Sequence, residues 1–278
     1  MASSNSSNSS KFKSDPYNPN NFLIQHTDVM NIMKKLHIHD FKINNIKFYQ
    51  TAFIHKSYCT MKDYEEYENT NHCLDLCDES YEKMEFLGDA LLNSIISQYI
   101  YERYVDYHDI DEGFLTKLKI RFVCGEQLAF LSNQLTLNPY LIISKHIETN
   151  CDGRNNINIL EDVYEAFLGA IFLDTNDLDL VKQFIVQTIE KYVDFSETIQ
   201  TDTNYKDQIL KYIQHNYFVN PTYQTTKNES DHTFESKIYR CDPEKKNVYI
   251  SSGKGLTKKK AEQDASRNAL IDYHVISD

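Results

Sequence analysis

Two segments of this chain combine a strongly apolar helical pattern with acidic residues. In residues 84–92 and 163–173 neither lysine nor arginine occurs, and apolar side chains recur at the spacing of a helix. Apolar residues at this spacing predict helices that bury a broad face against other helices. The sequence therefore predicts a mainly α domain that contains both segments.

The acidic residues in and beside these segments are also at helical spacing. Glu82, Glu85 and Asp89 stand three and four residues apart and so share one helix face. Asp162 and Glu165 stand three residues apart. Either group alone is more typical of a solvated acidic surface. Within apolar segments, however, carboxylates need a cation, and oxygen ligands without nearby cysteine or histidine favour Mg2+. Such a site can activate water for phosphodiester hydrolysis.

Composition divides the 278 residues into a tail and two domains. Residues 1–20 are mostly serine and asparagine, and they predict a disordered tail because they contain too little apolar surface to fold. Helical periodicity predicts a first domain at 21–197, and a polar stretch at 195–204 predicts a linker. The second domain, 203–276, has an α-β-β-β-α pattern. Its predicted helices are 206–215 and 258–273, and its predicted strands are 222–226, 233–240 and 248–252.

The charge of the chain is divided between these domains. The net charge is -12, but residues 201–278 carry 12 basic against 11 acidic residues, which leaves -13 on residues 1–200. The acidic balance argues against nucleic acid as a partner, whereas four lysines within seven residues offer a site for phosphate. Thr257 can cap the helix that follows, and the N-terminus of that helix adds partial positive charge. Read alone, a lysine run is more typical of a solvated surface. This lysine cluster consists of Lys254, Lys258, Lys259 and Lys260.

No segment reaches the roughly 18 to 20 uncharged apolar residues that span a bilayer, and the first residues do not form a signal peptide. We therefore expect an intracellular protein that does not enter a membrane. Six irregularly spaced cysteines predict reduced thiols rather than a disulfide framework. Cys59, His72, Cys73 and Cys77 form either a zinc clip or, as is more typical of such loose spacing, a solvated insertion.

The residues around the two acidic groups resemble the ribonuclease III family. Glu-Lys-Met-Glu-Phe-Leu-Gly-Asp-Ala at 82–90 resembles the nine-residue signature of that family. Asp-Val-Tyr-Glu-Ala-Phe-Leu-Gly-Ala-Ile-Phe-Leu-Asp at 162–174 is similar to its second acidic motif. Residues 52–58 resemble an early histidine-containing motif, and residues 111–121 resemble the stretch between the acidic motifs. The resemblance covers about residues 22–195 and implies the mainly α endonuclease fold of the family.

The resemblance implies roles for individual residues. It makes four carboxylates both metal ligands and catalytic groups: Glu85, Asp89, Asp162 and Glu165. It makes Glu82 and Glu112 accessory groups that orient the site or contact RNA. Phe86 stands where family members place an aromatic residue in the dimer contact, and we expect Leu87, Leu91 and Leu92 to share that apolar surface. The implied cofactor is Mg2+, for which Mn2+ can substitute.

The second domain resembles the double-stranded RNA-binding domain, whose α-β-β-β-α order it shares. The resemblance depends on Tyr-Lys-Asp-Gln-Ile-Leu-Lys-Tyr-Ile-Gln at 205–214, on the pair Asp231 and His232, and on the segment 253–265. It implies that Gln208 and His232 contact the minor groove of duplex RNA. It also implies that the lysine cluster binds phosphates across the major groove.

Together these patterns predict a homodimeric, Mg2+-dependent endoribonuclease that hydrolyses double-stranded RNA. The resemblance implies that each acidic centre cleaves one strand and leaves 5′-phosphate and 3′-hydroxyl ends. One alternative is a protein of this fold that binds or sequesters duplex RNA without cleaving it, although the four intact carboxylates argue against it. A helical dimerisation module with incidental acids is a second alternative, and it leaves the lysine cluster unexplained.

Overall fold

The computed structural model describes residues 14–69, 72–104, 111–195, 205–228, 232–241 and 247–276. The chain forms two compact units, Met1–Thr198 and Ile199–Asp278, and each has a hydrophobic core of its own. Residues 1–13 of the predicted tail and residues 196–204 of the predicted linker lie outside the described residues. The predicted domain boundaries at 197 and 203 therefore stay predictions.

The described residues of the first unit are mainly helical, as the sequence predicts. The helices are α1 (His26–Lys35), α2 (Ile46–Thr51), α3 (Glu82–Tyr104), α4 (Glu112–Val123), α5 (Gly125–Leu135), α6 (Lys145–Asn150), α7 (Ile157–Thr175) and α8 (Leu178–Tyr192). Single 3₁₀ turns occur at Lys56–Tyr58, Lys62–Tyr64, Asn138–Tyr140 and Gly153–Asn155. The mainly α fold class predicted for this unit is confirmed.

The two apolar segments form the long helices α3 and α7, which cross in direct backbone contact. Residues 163–171 of α7 are all buried. A Cβ atom at Gly88 of α3 would overlap the carbonyl oxygen of Glu165, and one at Gly169 of α7 would overlap the carbonyl oxygen of Met84. Only glycine lets the two backbones approach this closely. The crossing places the acidic residues of the two helices beside one another.

Asp174 ties the C-terminal end of α7 to the start of α2. Its side chain is nearly buried, and the carboxylate accepts hydrogen bonds from the backbone nitrogens of Asn44 at 3.1 Å and Asn45 at 2.6 Å. The hydroxyl of Tyr49 donates to the same carboxylate at 3.1 Å. These bonds satisfy backbone donors at a helix start, which otherwise lack partners.

Residues 14–20, which the tail prediction includes, pack on the first unit. The side chain of Asn18 is 1% exposed and donates to the carbonyl oxygen of Ile143 at 3.1 Å. The guanidinium of Arg154 donates to the carbonyl oxygen of Asn20 at 3.3 Å. The prediction of disorder is wrong for these residues, because hydrogen bonds from asparagine side chains compensate for the scarcity of apolar surface.

The segment that contains Cys59, Cys73 and Cys77 is anchored to the first unit rather than wholly solvated. Cys59 and Cys77 pair in a parallel β-bridge, and the hydroxyl of Tyr58 donates to the carbonyl oxygen of Leu74 at 2.6 Å. All six cysteines are free thiols. In the described part of the chain, no group of three or more histidine, cysteine or acidic side chains is arranged to hold a metal ion, so the zinc alternative gains no support.

The second unit has the predicted α-β-β-β-α order, which confirms its fold class. Its elements are α9 (Tyr205–Tyr217), β1 (Pro221–Lys227), β2 (Phe234–Arg240), β3 (Val248–Gly255) and α10 (Lys258–Asp272). The strands form an antiparallel sheet in the order β1-β2-β3. Strand β3 runs three residues beyond its predicted end, because Gly253 and Gly255 continue the pairing with β2 while α10 lies against them. Across both units, the described residues contain no helix with the length and apolar character needed to span a membrane.

Candidate active site

The crossing of α3 and α7 brings the four predicted catalytic carboxylates within one another's electrostatic field. Glu85 and Asp89 lie one turn apart on α3, and Asp162 and Glu165 lie about one turn apart on α7. Burial raises the pKa of Glu85, and the charge of Asp162 raises it further. Side chains that are distant in the sequence therefore form one acidic group.

Glu165 is the most deeply buried of these acids, with 8% of the residue exposed. Burial raises its pKa to about 8, and the charges of neighbouring acids contribute to the rise. These neighbours are Asp89, Glu161, Glu85 and Asp162. Desolvation and like charges both disfavour the ionised form of a carboxyl group. Glu165 would be stabilised as a carboxylate by a cation bound beside it.

Asp162 is held by a hydrogen bond and lies near a positive charge. The hydroxyl of Tyr81 donates to its Oδ2 atom at 2.9 Å. Burial raises the pKa of Asp162, while the bond from Tyr81 and the charge of Lys56 oppose the rise. Nζ of Lys56 lies 3.1 Å from Oε1 of Glu82, so this predicted accessory residue forms an exposed ion pair beside the acidic group.

The remaining predicted residues of the first unit lie on exposed faces of α3 and α4. Asp89 is exposed, and its Oδ1 atom accepts a hydrogen bond from Asn93 at 2.6 Å. Glu112 lies in the first turn of α4, on a different helix from the other predicted acids, and accepts a hydrogen bond from Thr116 at 2.9 Å. Phe86 is 80% exposed, which is unusual for a large apolar side chain.

Three residues beside the carboxylates are absent from the sequence prediction. Glu161 is partly buried, and its pKa is raised by burial and by the charge of Asp162. Its position four residues before Glu165 is the same helical spacing that identifies the other acids. Tyr81 and Lys56 stand next to or within motifs that the sequence reveals, but their contacts with acids depend on the fold.

The chemistry of the four carboxylates Glu85, Asp89, Asp162 and Glu165 suits a hard divalent cation. Their donors are oxygen atoms, and burial together with the neighbouring acids raises the pKa of their most buried member, Glu165. Mg2+ prefers oxygen ligands and retains several of its waters. In the described residues no group of three or more acidic, histidine or cysteine side chains is arranged to hold a metal ion. The acids are thus close enough to perturb one another's pKa values without forming a closed set of ligands.

The predicted RNA-binding residues lie at the surface of the second unit. The lysine cluster is exposed where β3 ends and α10 begins, and Oγ1 of Thr257 accepts a hydrogen bond from the backbone nitrogen of Lys260 at 3.2 Å. This bond confirms the predicted helix cap. Gln208 is half-buried on α9, and His232 is exposed with a φ of 56°. Asp231, its partner in the sequence motif, lies outside the described residues.

Comparisons with known proteins agree with the arrangement of both units. A family model described as ribonuclease-III-like matches residues 45–193, and one described as a double-stranded RNA binding motif matches residues 205–273. The chain is 33% identical over 261 residues to a probable ribonuclease 3 of Acanthamoeba polyphaga mimivirus, an alignment that covers 92% of this chain and 47% of that relative. It is 33% identical over 237 residues to ribonuclease 3 of Staphylococcus epidermidis, with 85% of this chain and 88% of that protein covered. The chain thus spans about half the length of the viral relative and most of the bacterial one.

Among solved structures, the nuclease domain of ribonuclease III from Campylobacter jejuni aligns with 59% of this chain and 98% of its own, with a TM-score of 0.47 and 24% identity. The family assignment depends instead on the sequence matches. The ribonuclease-III-like model covers more than half of the chain, and the bacterial relative is matched over most of its length. The chain therefore belongs to the ribonuclease III family, and its second unit carries a double-stranded RNA-binding motif.

Proposed function

We propose that the chain is a divalent-metal-dependent endoribonuclease that cleaves double-stranded RNA where α3 and α7 cross. The observation that carries this proposal is Glu165, which is buried beside four other acids at the crossing of the two acidic motifs. Burying a carboxylate beside other acids destabilises a fold unless a cation compensates the charge. A purely structural role gives no reason for such a cluster, whereas metal-assisted hydrolysis does.

The proposed roles follow from the positions of the carboxylates on two rigid helices. Glu85, Asp89, Asp162 and Glu165 would hold the cation, and Mg2+ is the ion that their oxygen donors favour. When bound, the ion lowers the pKa of an attacking water and stabilises charge on the leaving oxygen. The chain itself fixes the acids in place before the substrate arrives, because both helices are packed into the core. Glu82 and Glu112 would assist in orienting the site or in contacting RNA.

The second unit would bind the duplex. The exposed lysine cluster lies where β3 ends and α10 begins, and both the lysine charges and the partial positive charge of the helix N-terminus favour phosphate. We assign minor-groove contacts to Gln208 and His232, as expected for this type of domain. The cluster and any bound cations would reduce the repulsion of phosphate by the net charge of -13 on residues 1–200.

The proposed products have 5′-phosphate and 3′-hydroxyl ends. Attack of water on the phosphorus with departure of the 3′ oxygen leaves a 3′-hydroxyl on the upstream fragment and the phosphate on the 5′ oxygen of the downstream fragment. Products that RNA ligase joins without prior phosphorylation would support this assignment. Products that need phosphorylation before ligation would contradict it.

We further propose that the enzyme is a homodimer with one acidic centre for each strand. The 80% exposure of Phe86 supports a contact there, whereas Leu92 is 1% exposed and belongs to the core rather than to the expected dimer surface. A Phe86→Asp variant should sediment as a monomer at micromolar concentration, because a carboxylate would be buried in the apolar contact. The wild-type chain should sediment as a dimer. A wild-type monomer with full cleavage activity would contradict this proposal.

The assignment of Glu165 is tested by Glu165→Gln. This change removes one anionic ligand and leaves the side-chain volume almost unchanged. Cleavage of a long RNA duplex in Mg2+ should fall by about 100-fold or more, since each 1.36 kcal/mol is tenfold in rate and a ligand of the reacting metal contributes several kcal/mol. Duplex binding should persist, because the lysine cluster is unchanged. Excess Mn2+ should restore part of the rate if metal affinity is the defect.

Glu102→Gln is the matched control, because it makes the same chemical change on the exposed side of α3, where Glu102 pairs with Lys182 at 3.2 Å. It should cleave at the wild-type rate. Normal cleavage by Glu165→Gln would refute the assignment. Duplex binding without cleavage by the wild-type chain, with or without Mg2+, would favour the non-catalytic alternative.

A further inference from the structure

Tyr81 lies at the junction of several parts of the first unit. Its backbone nitrogen donates to the carbonyl oxygen of Ile54 at 2.8 Å. Its own carbonyl oxygen accepts hydrogen bonds from Met84 at 2.8 Å and Glu85 at 2.9 Å, so this residue begins the hydrogen-bond pattern of α3. Its ring centroid lies 5.8 Å from that of His55, and the residue is 2% exposed. Both its main chain and its side chain are therefore fixed.

The hydroxyl of this fixed side chain reaches α7. It donates to Oδ2 of Asp162 at 2.9 Å, although the two residues are 81 positions apart in the sequence. A hydrogen bond to a carboxylate is strengthened by the charge of the acceptor. The phenol is neutral, however, and leaves the negative charge of Asp162 available to a cation. Lys56 differs in this respect, because its ammonium group neutralises part of the charge of the acids near it.

We propose that Tyr81 is a positioning residue for cation binding: it fixes the carboxylate of Asp162 relative to the acids of α3 before a divalent cation binds. The inference depends on the proposed function, which makes Asp162 a metal ligand. A ligand that is already held in one conformation loses less side-chain entropy when the cation binds. Hydrogen-bond partners that orient metal ligands typically change metal affinity by about 10- to 100-fold.

A second hydrogen bond from a tyrosine to an aspartate of α7 supplies a matched control. Tyr49 is fully buried, and its hydroxyl donates to Oδ2 of Asp174 at 3.1 Å near the other end of α7. Asp174 also binds backbone nitrogens at the start of α2, which gives it a structural role. Replacing either tyrosine by phenylalanine removes a buried hydroxyl that donates to an aspartate of α7. The two variants differ in whether that aspartate is one of the proposed metal ligands: Asp162 is one, and Asp174 is not.

The test is Mn2+ binding to the full chain without RNA, with free Mn2+ measured by electron paramagnetic resonance. Tyr81→Phe should weaken Mn2+ affinity by about 10-fold or more. Tyr49→Phe should stay within about twofold of the wild type. Thermal unfolding of both variants shows how much stability each hydroxyl contributes. A loss of stability shared by the two variants then cannot explain a loss of affinity found only in the first.

A double-mutant cycle keeps the test decisive if Tyr81→Phe also loosens the fold. In an Asp162→Asn background, Tyr81→Phe should have no further effect on Mn2+ affinity. An undiminished effect in that background would overturn the proposal, as would wild-type affinity in the single variant or absence of Mn2+ binding by the wild-type chain. A wild-type chain that binds Mn2+ but does not cleave duplex RNA would overturn the proposed reaction, while the measured affinities would still decide the role of Tyr81.

Discussion

Glu165 carries an electrostatic cost in the metal-free protein. Its pKa rises from an ordinary 4.5 to about 8 in the folded chain, because burial and neighbouring acids disfavour the ionised form. Between these two pH values the folded protein holds a proton that the unfolded chain has released. The stability associated with that proton is fully present below about pH 4.5 and is lost as the pH rises through about 8.

We therefore expect the melting temperature of the metal-free protein to fall less steeply in Glu165→Gln than in the wild type as the pH rises from about 5 to about 9. Glutamine develops no charge in this range, so its burial costs the same at each pH. Thermal unfolding in excess chelator measures the effect, and a change of about 1 kcal/mol shifts Tm by about 2–4 °C in a domain of this size.

Glu102→Gln serves as the control for this measurement, because Glu102 is solvent-exposed. Its variant should follow the wild-type profile. Parallel profiles for the wild type and Glu165→Gln would show that Glu165 does not titrate as described. Added Mg2+ should flatten the wild-type profile, since a bound cation stabilises the ionised acids.

At the scale of secondary structure, the crossing of α3 and α7 determines the geometry of the acidic group. Gly88 faces the carbonyl group of Glu165, and Gly169 faces that of Met84. Gly88 belongs to the first acidic motif and contacts the second, whereas Gly169 belongs to the second motif and contacts the first. The spacing between the two pairs of carboxylates depends on the absence of two Cβ atoms.

Gly88→Ala should destabilise the protein and reduce cleavage. The added methyl group overlaps the backbone at Glu165, and overpacking of this kind typically costs about 1–3 kcal/mol. The two helices would have to separate, and a displacement of about 1 Å at a catalytic group can lower the rate about 100-fold. Thermal unfolding and cleavage assays of the same preparation measure both effects.

Gly113→Ala is the matched control for helix propensity. Gly113 lies in α4, and an added Cβ atom there would lie 3.4 Å from Oδ1 of Asp111, which is an ordinary contact. Alanine favours a helix over glycine by up to about 1 kcal/mol, so this variant should be as stable as the wild type or more stable. If Gly88→Ala were as stable and as active as Gly113→Ala, the close approach of α3 and α7 would not be required for stability or cleavage.

The sequence predicts elements whose signal is local and periodic. The apolar spacing around Glu85 and Glu165 locates α3 and α7, and the three strands predicted between residues 222 and 252 lie within three residues of their observed bounds. Contacts between distant residues leave no such signal, which is why the bond from Tyr81 to Asp162 and the charge of Lys56 emerge only from the fold. The predicted disorder of residues 14–20 is wrong for the same reason, since their hydrogen-bond partners lie more than a hundred positions away.

At the scale of the whole molecule, the acids and the lysines have opposite requirements. In the proposed function the acidic group needs cations before a phosphate can approach, whereas the lysine cluster attracts phosphate without them. Residues 1–200 carry -13, whereas residues 201–278 carry +1. Duplex affinity should therefore depend on the second unit and cleavage on the first, so that variants in each unit change one property more than the other.

The last prediction separates these two properties. Replacing the lysine cluster with alanine in the full chain should weaken duplex binding, and the plot of log affinity against log salt should become less steep by roughly 0.9 for each lost phosphate contact. Cleavage at saturating RNA should stay close to the wild-type rate, because the carboxylates are unchanged. The single variant Lys259→Ala should lower the slope by roughly 0.9 if Lys259 contacts a phosphate. Its control is Lys182→Ala, which removes one charge from α8 and should leave the salt dependence unchanged. Binding isotherms at several salt concentrations measure the slope in a metal-chelated buffer, where no RNA is cleaved. Unchanged affinity and salt dependence in the four-lysine variant would show that this cluster does not hold the phosphates, whereas a large loss of the saturated rate would show that the cluster also acts in the chemical step.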